Sequence, residues 1–478
     1  MQGALAAPAR LLSFHRLELL AVLGTALLGA GVAFAMNYVF AAIGAAVIIF
    51  LLSRGSLSRA VVVIAGGLTL LQLSPGLSVE KFAYLATLVV ATLFAGAHIA
   101  SRWSAAKTLG ALPILVTTGG VAAIVALSAL VAIHSGITIQ AWALDVPAYG
   151  MLLVAAVLGL DLALSSHRPR DIAVALLLAG LITAVGYAIY WTRLRGVSQF
   201  DFSRFVFPSQ FLPAAAFCLT LAYAFDGRRT YSTAFLATLL VLAMLVSGTR
   251  ILILFVVPVI VTMAVASGHR RLRIVSLIIV ATTTLVLVVG IVGNTSVVEA
   301  FNLDVVEARL GSIIPLLTSS DATTDGSLYQ RYLQTHALQQ AWMQNPIFGV
   351  GPGALYSYAN TFNDRPTDSP LAILSRFGVV GAAAIVVLFA TLFASRLRRG
   401  AHWVPATALL AFISLVAAWS LVSSPLDDKG VALGLIPLIG LCGVWRKQSH
   451  SPAEVEANER AGAFGRWRRS WIPETMRG

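Results

Sequence analysis

The sequence predicts an all-α, polytopic transmembrane helical bundle of about twelve to fourteen spans with a large structured extracytoplasmic loop. Three observations predict it. The chain of 478 residues is 58% hydrophobic and only 11% charged, and its mean hydropathy of +0.86 lies beyond the balance of a soluble domain. Apolar runs of spanning length recur along most of the sequence, and the basic residues between them collect in alternate loops.

The runs lie near residues 17–36, 38–53, 59–73, 81–100, 109–133, 146–165, 172–192, 208–225, 231–246, 250–267, 273–293, 369–395, 403–421 and 430–445. A helix needs about 20 residues to cross the hydrocarbon, so the second, third and ninth are short. The first run leads straight into a second and is expected to remain as an anchor rather than be cleaved as a signal peptide. Cys218 and Cys442 both fall inside runs and read as two buried small hydrophobes, not a disulfide.

Alternate loops hold Arg54/Arg59, Arg102/Lys107, Arg168/Arg170, Arg228/Arg229, Arg270/Arg271/Arg273 and Arg396/Arg398/Arg399. This bias puts both termini in the cytoplasm and the intervening loops outside. It also accounts for most of the net charge of +13 without nucleic acid as a partner. The basic tail, with Arg466, Arg468 and Arg469, would rest on anionic headgroups of the lipid bilayer.

Four regions follow: N-terminal spans over 1–293, an extracytoplasmic loop over 294–368, C-terminal spans over 369–446 and a cytoplasmic tail over 447–478. The loop is too long to be structureless. Residues 297–316 mix apolar and charged positions as an interfacial helix does. The stretch "DGSLYQRYLQTHALQQAWMQNPIFGVGPG" then predicts a polar helix, with capping-box spacing at Ser327 and Gln330 and a stop at Asn345–Pro346. Leu328, Tyr332, Thr335, Leu338 and Trp342 share the face expected to rest on the membrane helices, leaving Gln330 and Gln334 toward a cavity. "GVGPG" at 349–353 lacks the lysine and setting of a phosphate loop and reads as a turn that packs the loop back toward the membrane.

Arginine on the outer side runs against the topological bias. Arg250, in "VLAMLVSGTRILILFVV", stands between two apolar runs at the membrane boundary, where an ionisable group is a candidate functional residue or a snorkelling helix end. Arg204 precedes a span in the same way, as a candidate or an ordinary loop charge, and Arg331 projects from the polar helix, where alone it reads as part of a solvated face. Guanidiniums converging on a membrane-level cavity suit a diphosphate, because the planar fork pairs with phosphate oxygens and stays charged. A lipid-linked diphosphate is the ligand expected at that depth, and arginines would neutralise a leaving diphosphate without a cofactor or metal.

The order "SGTR" between two spans, then a long loop with "DGS…R…W…NPIFGVGPG", then a span reading "LSRFGVVGAAA", resembles the O-antigen ligase and polymerase superfamily of bacterial envelope glycosyltransferases. "RFVFPSQFLPAAAF", from Arg204, is similar to that family upstream, so the resemblance runs over roughly residues 200 to 395. It implies a multi-pass enzyme of the bacterial inner membrane that transfers glycan from an undecaprenyl-diphosphate-linked donor to a glycan or lipid acceptor, with metal-independent inversion. Arg204 and Arg250 fall on the family's diphosphate-binding arginines, and Arg331 on the arginine of its loop helix. A chain-length regulator and a flippase stand as candidate partners.

The family's ligases carry a His-Asn pair at the end of the long loop, where this sequence has Asp368 and Ser369. That departure favours a polymerase of O-antigen or exopolysaccharide repeat units over transfer to lipid A core. Asp368 is the candidate general base, or else it caps the following helix. His336 is the other candidate base. Arg365 and Arg376 flank Asp368 and would complete a basic site, Trp342 would stack on glycan, and Asp325 either joins the site or caps the loop helix. A lipid-linked oligosaccharide flippase is the rival from another class; it would place its site near mid-membrane, between repeats.

Overall fold

The computed structural model describes residues 38–70, 79–193, 211–225, 230–246, 326–358, 361–364, 371–397, 403–420, 426 and 429–448. The expected spans at 17–36, 250–267 and 273–293, the interfacial helix at 297–316 and nearly all of the basic tail lie outside these residues, as do Arg204, Arg250, Asp325, Arg365 and Asp368.

The architecture is helical. In chain order the helices are α1 (Tyr38–Arg54), α2 (Ser56–Leu70), α3 (Val79–Ser101), α4 (Trp103–Thr108), α5 (Ala111–His134), α6 (Ile139–Asp145), α7 (Pro147–Ala163), α8 (Pro169–Arg193), α9 (Phe211–Phe225) and α10 (Thr230–Val246). After the polar helix α11 (Gly326–Gln344) comes a two-stranded antiparallel hairpin, β1 (Tyr356–Tyr358) with β2 (Thr361–Asp364), then α12 (Ala372–Leu397), α13 (Trp403–Trp419) and α14 (Lys429–Gln448). Among the described residues, α3, α5, α8 and α12 are long and apolar enough to cross a membrane, and α6 with α7 forms a fifth such unit bent by 48°.

At the bundle's centre α14 lies along α7. Glycine permits the approach: a Cβ on Gly159 would stand 2.7 Å from Ile439, and one on Gly440 2.6 Å from Leu162. In an apolar solvent the gain on association comes from such packing rather than from burying oil. Leu158, Leu160, Leu162, Phe217 and Phe412 are buried here, and Cys218 and Cys442 are buried and not joined in a disulfide, as expected of small hydrophobes. Around this centre α5 and α12 pack on each other and turn Val116, Leu127, Leu130, Val386 and Val387 outward, where a bilayer would meet them.

The end of the bundle carrying the Arg54, Arg102 and Arg168 loops holds a buried polar cluster. Asp161, a lone carboxylate in an apolar run, receives the Arg59 guanidinium at 2.8 Å through Nε and 2.9 Å through Nη2. His98 Nδ1 lies 2.6 Å from Asp161 Oδ1, and the Ser56 hydroxyl donates to the same oxygen at 3.0 Å. Arg59, expected to be a loop charge, is instead inside α2 and almost fully buried. The reason is Asp161: a carboxylate this deep must find a cation and donors, and α2 supplies both.

Candidate functional site

At the opposite end two interrupted helices face each other, and the loop after α11 is docked between them. The sequence "LSRFGVV" reads as the start of a continuous span, but Gly378 adopts φ 62, ψ −168 and breaks α12. Only glycine takes this backbone without cost, and a Cβ there would overlap the Ile347 carbonyl. The break strands carbonyls on one side and amides on the other. The loop satisfies both: Val350 N donates to Ser375 O at 2.7 Å and Gly351 N to Arg376 O at 3.1 Å, while Val379 N and Val380 N donate to Pro346 O and Ile347 O at 2.9 and 3.2 Å.

The turn read from "GVGPG" is therefore borne out, with Gly349, Gly351 and Gly353 all at positive φ. Each also permits a close approach. A Cβ on Gly351 would stand 2.7 Å from the Ala132 Cα of α5, and one on Gly353 2.5 Å from the Ala141 carbonyl carbon of α6.

The second interruption lies between α6 and α7. Thr138 caps α6 by accepting from Ala141 N at 3.2 Å, and Pro147 opens α7. Asp145 stands in the bend. Its Oδ2 accepts from Arg376 Nε at 2.9 Å and from Gly353 N at 2.9 Å. Arg376 Nη1 donates to the Tyr149 hydroxyl at 3.0 Å, and the Tyr149 ring meets Phe377 edge-on at 4.7 Å between centroids. The Arg376 side chain is only 4% exposed and Asp145 12%. Tyr356, on β1, is packed against this pair. Burial pushes its phenol pKa up, Ser375 and Arg376 draw it down, and Asp145 raises it further; the hydroxyl is buried without a well-formed hydrogen bond.

Of the residues nominated from sequence, the structure brings Arg376 into this centre with its guanidinium committed to Asp145 and Tyr149. Trp342 lies at the end of α11, half-buried, and donates its indole N–H to the Pro346 carbonyl at 3.1 Å. That N–H is engaged by the loop itself. His336 is exposed on α11, its ring 6.5 Å from that of Tyr332. Arg331 lies in the second turn of the same helix.

The polar helix stops at Gln344, as Asn345–Pro346 required, but its buried face differs from the expectation. Leu338 is buried, as expected, and Gln334 is buried beside it, whereas Tyr332 is 60% exposed. Residues 334 and 338 are one turn apart, so the contact stripe is rotated from the one apolarity selected. Asp145, Tyr149 and Tyr356 were missed. A signal for Asp145 did exist: an acidic residue directly before a Val-Pro helix start, in a chain so poor in acids.

These features define a multi-pass helical membrane protein whose polar loop is locked to a pair of broken helices. Residues 234–373 match the family model described as O-antigen ligase. The match covers 140 of the 478 residues and agrees with the resemblance to the O-antigen ligase and polymerase superfamily that the sequence carries. It runs from α10 to the second residue of α12 and so contains Arg250, Arg331, Arg365 and Asp368; Arg204 and Arg376 lie outside it. No curated protein matches the chain.

Proposed function

We propose that this protein polymerises O-antigen or exopolysaccharide repeat units at the outer face of the bacterial inner membrane. A sugar hydroxyl of the acceptor attacks the anomeric carbon of the donor. The glycosidic bond forms as the bond to the undecaprenyl diphosphate breaks, with inversion, and the hydroxyl proton passes to Asp368. Arg204, Arg250 and Arg331 neutralise the departing diphosphate, so the chemistry assigned to a metal in other transferases falls to guanidiniums. Arg365 joins this basic site, and Trp342 and His336 face glycan from α11. Because Arg376 is tied to Asp145 and Tyr149, its part is to hold the loop in place rather than to bind phosphate.

The observation that carries this reading is the family match over 234–373, a segment that includes both the loop helix and Arg250, which stands between two apolar runs of the sequence. Purified protein in lipid nanodiscs, given undecaprenyl-diphosphate-linked repeat units with and without lipid A core, tests it. A ladder of lengthened lipid-linked glycans without core, abolished by Arg250→Ala and strongly reduced by Asp368→Ala, is the expected result. Product only when core is present makes the enzyme a ligase, the activity in the family description. Intact protein that moves the lipid across the bilayer without turnover overturns the transferase reading in favour of a flippase.

A further inference from the structure

The end of α11 and the turn that follows it present bulky apolar side chains outward: Met343, Ile347 and Phe348 are 62%, 58% and 59% exposed. Three such side chains in a loop otherwise rich in glutamine call for a partner. Two hydrogen bonds fix where they are. Pro346 and Ile347 carbonyls accept from Val379 N and Val380 N, the first amides of α12 beyond its break. The Ile347–Phe348 turn therefore sits level with the first turn of the span. Val379 and Val380, themselves 51% and 38% exposed, continue its surface into the outward-facing Val386 and Val387.

The length of α12 sets that level against the bilayer. From Val379 to Arg396 there are 17 helical steps, or about 26 Å. The hydrocarbon core is about 30 Å thick, and the basic run of the sequence that begins at Arg396 is expected to meet headgroups at the far end. A straight helix leaves roughly 4 Å of hydrocarbon above Val379, and any tilt leaves more. That layer is the height of Ile347 and Phe348.

We infer that Met343, Ile347 and Phe348 form a wedge embedded in the acyl chains of the outer leaflet, fixing the height of α11 at the headgroup layer. The backbone there is not stranded in oil, because the carbonyls of Pro346 and Ile347 are used by α12 and, for Pro346, also by the Trp342 indole. An indole at this depth is where tryptophan is favoured. On the transfer reading, the wedge would hold the loop arginines level with a lipid diphosphate, but the embedding itself rests only on α12 being a span.

Nitroxide labels at Met343→Cys, Ile347→Cys and Phe348→Cys in nanodiscs test this, read by collision with oxygen, which favours hydrocarbon, and with a water-soluble nickel chelate. Val386→Cys calibrates the lipid face and Gln340→Cys, exposed on α11, the aqueous one; Cys218 and Cys442 are buried and set the background. Ratios at 347 and 348 shifted to the Val386 value are expected, with 343 between the two references. Ratios at 347 and 348 equal to that at Gln340 overturn the inference. So does suppression of both collisions, which would mean that protein covers the turn. The readout needs no turnover, so failure of the transferase reading leaves it standing, and the reverse.

Discussion

Arg376 Nε lies 2.9 Å from Asp145 Oδ2, and this contact joins the break in α12 to the bend between α6 and α7. The same carboxylate oxygen accepts from Gly353 N, so one charge holds both a helix and the glycine loop. Removing one partner of a buried pair leaves the other uncompensated, at a cost of about 3–5 kcal/mol. Arg376→Ala and Asp145→Asn should therefore each lower the melting temperature in detergent and speed proteolysis within 345–356. Arg376→Lys should rescue little, because an ammonium cannot serve Asp145 and Tyr149 with the geometry of the guanidinium fork. Unchanged melting and cleavage in all three variants would remove the ion pair from any role in loop docking.

Glycine substitutions should sort by place rather than by type. At Gly351 an alanine meets the Ala132 backbone at 2.7 Å with φ at 96°, so Gly351→Ala must displace the loop and should cost several times the usual ~1 kcal/mol glycine–alanine difference. Gly119 and Gly120, in the middle of α5, have nothing within 4 Å of an added Cβ. Alanine there should be neutral or stabilising by up to about 1 kcal/mol. Equal melting temperatures for the loop and helix variants would contradict this ordering.

That contrast also marks what was legible in the sequence. Every expected span with described residues is a helix, because apolar length is a local property. The stop at Asn345–Pro346 and the glycine turn were legible for the same reason. The break at Gly378 was not: "LSRFGVVGAAA" has the hydropathy of an unbroken span, and only the loop carbonyls and amides that fill the gap make a break affordable. The stripe of α11 was misread because apolarity nominated Tyr332, whereas Gln334 takes the buried position. Charge partners such as Arg59 with Asp161 and Arg376 with Asp145 are long-range in sequence, and a single chain offers no periodicity to pair them.

Tyr356 makes stability depend on alkaline pH. An ordinary tyrosine ionises near pH 10, and burial holds the folded-state value higher. Above about pH 10 the unfolded chain therefore binds fewer protons than the folded one, and stability falls as pH rises through that window; below it the group contributes its full share. Tyr356→Phe should melt close to wild type at pH 8, since the hydroxyl makes no well-formed hydrogen bond, and should fall less steeply than wild type at pH 10.5. Parallel melting curves for the two proteins across that range would show that the phenol is not held neutral by the fold.

The Arg59–Asp161 pair gives the sharpest energetic test, because both side chains are almost wholly removed from solvent, at 5% and 0% exposed. Asp161→Leu leaves the guanidinium with the Leu52 carbonyl and Ser56 hydroxyl but no counter-charge, and Arg59→Met leaves the carboxylate with His98 and Ser56. Each single change should cost about 3–5 kcal/mol. The double variant, apolar at both positions and of similar volume, should recover most of that loss, because the cost of desolvating two charges disappears with them. If the proposed transfer activity holds, it should survive in the double variant. Strictly additive losses in the cycle would mean that the two residues act independently, and that Asp161 is held by His98 and Ser56 rather than by the arginine.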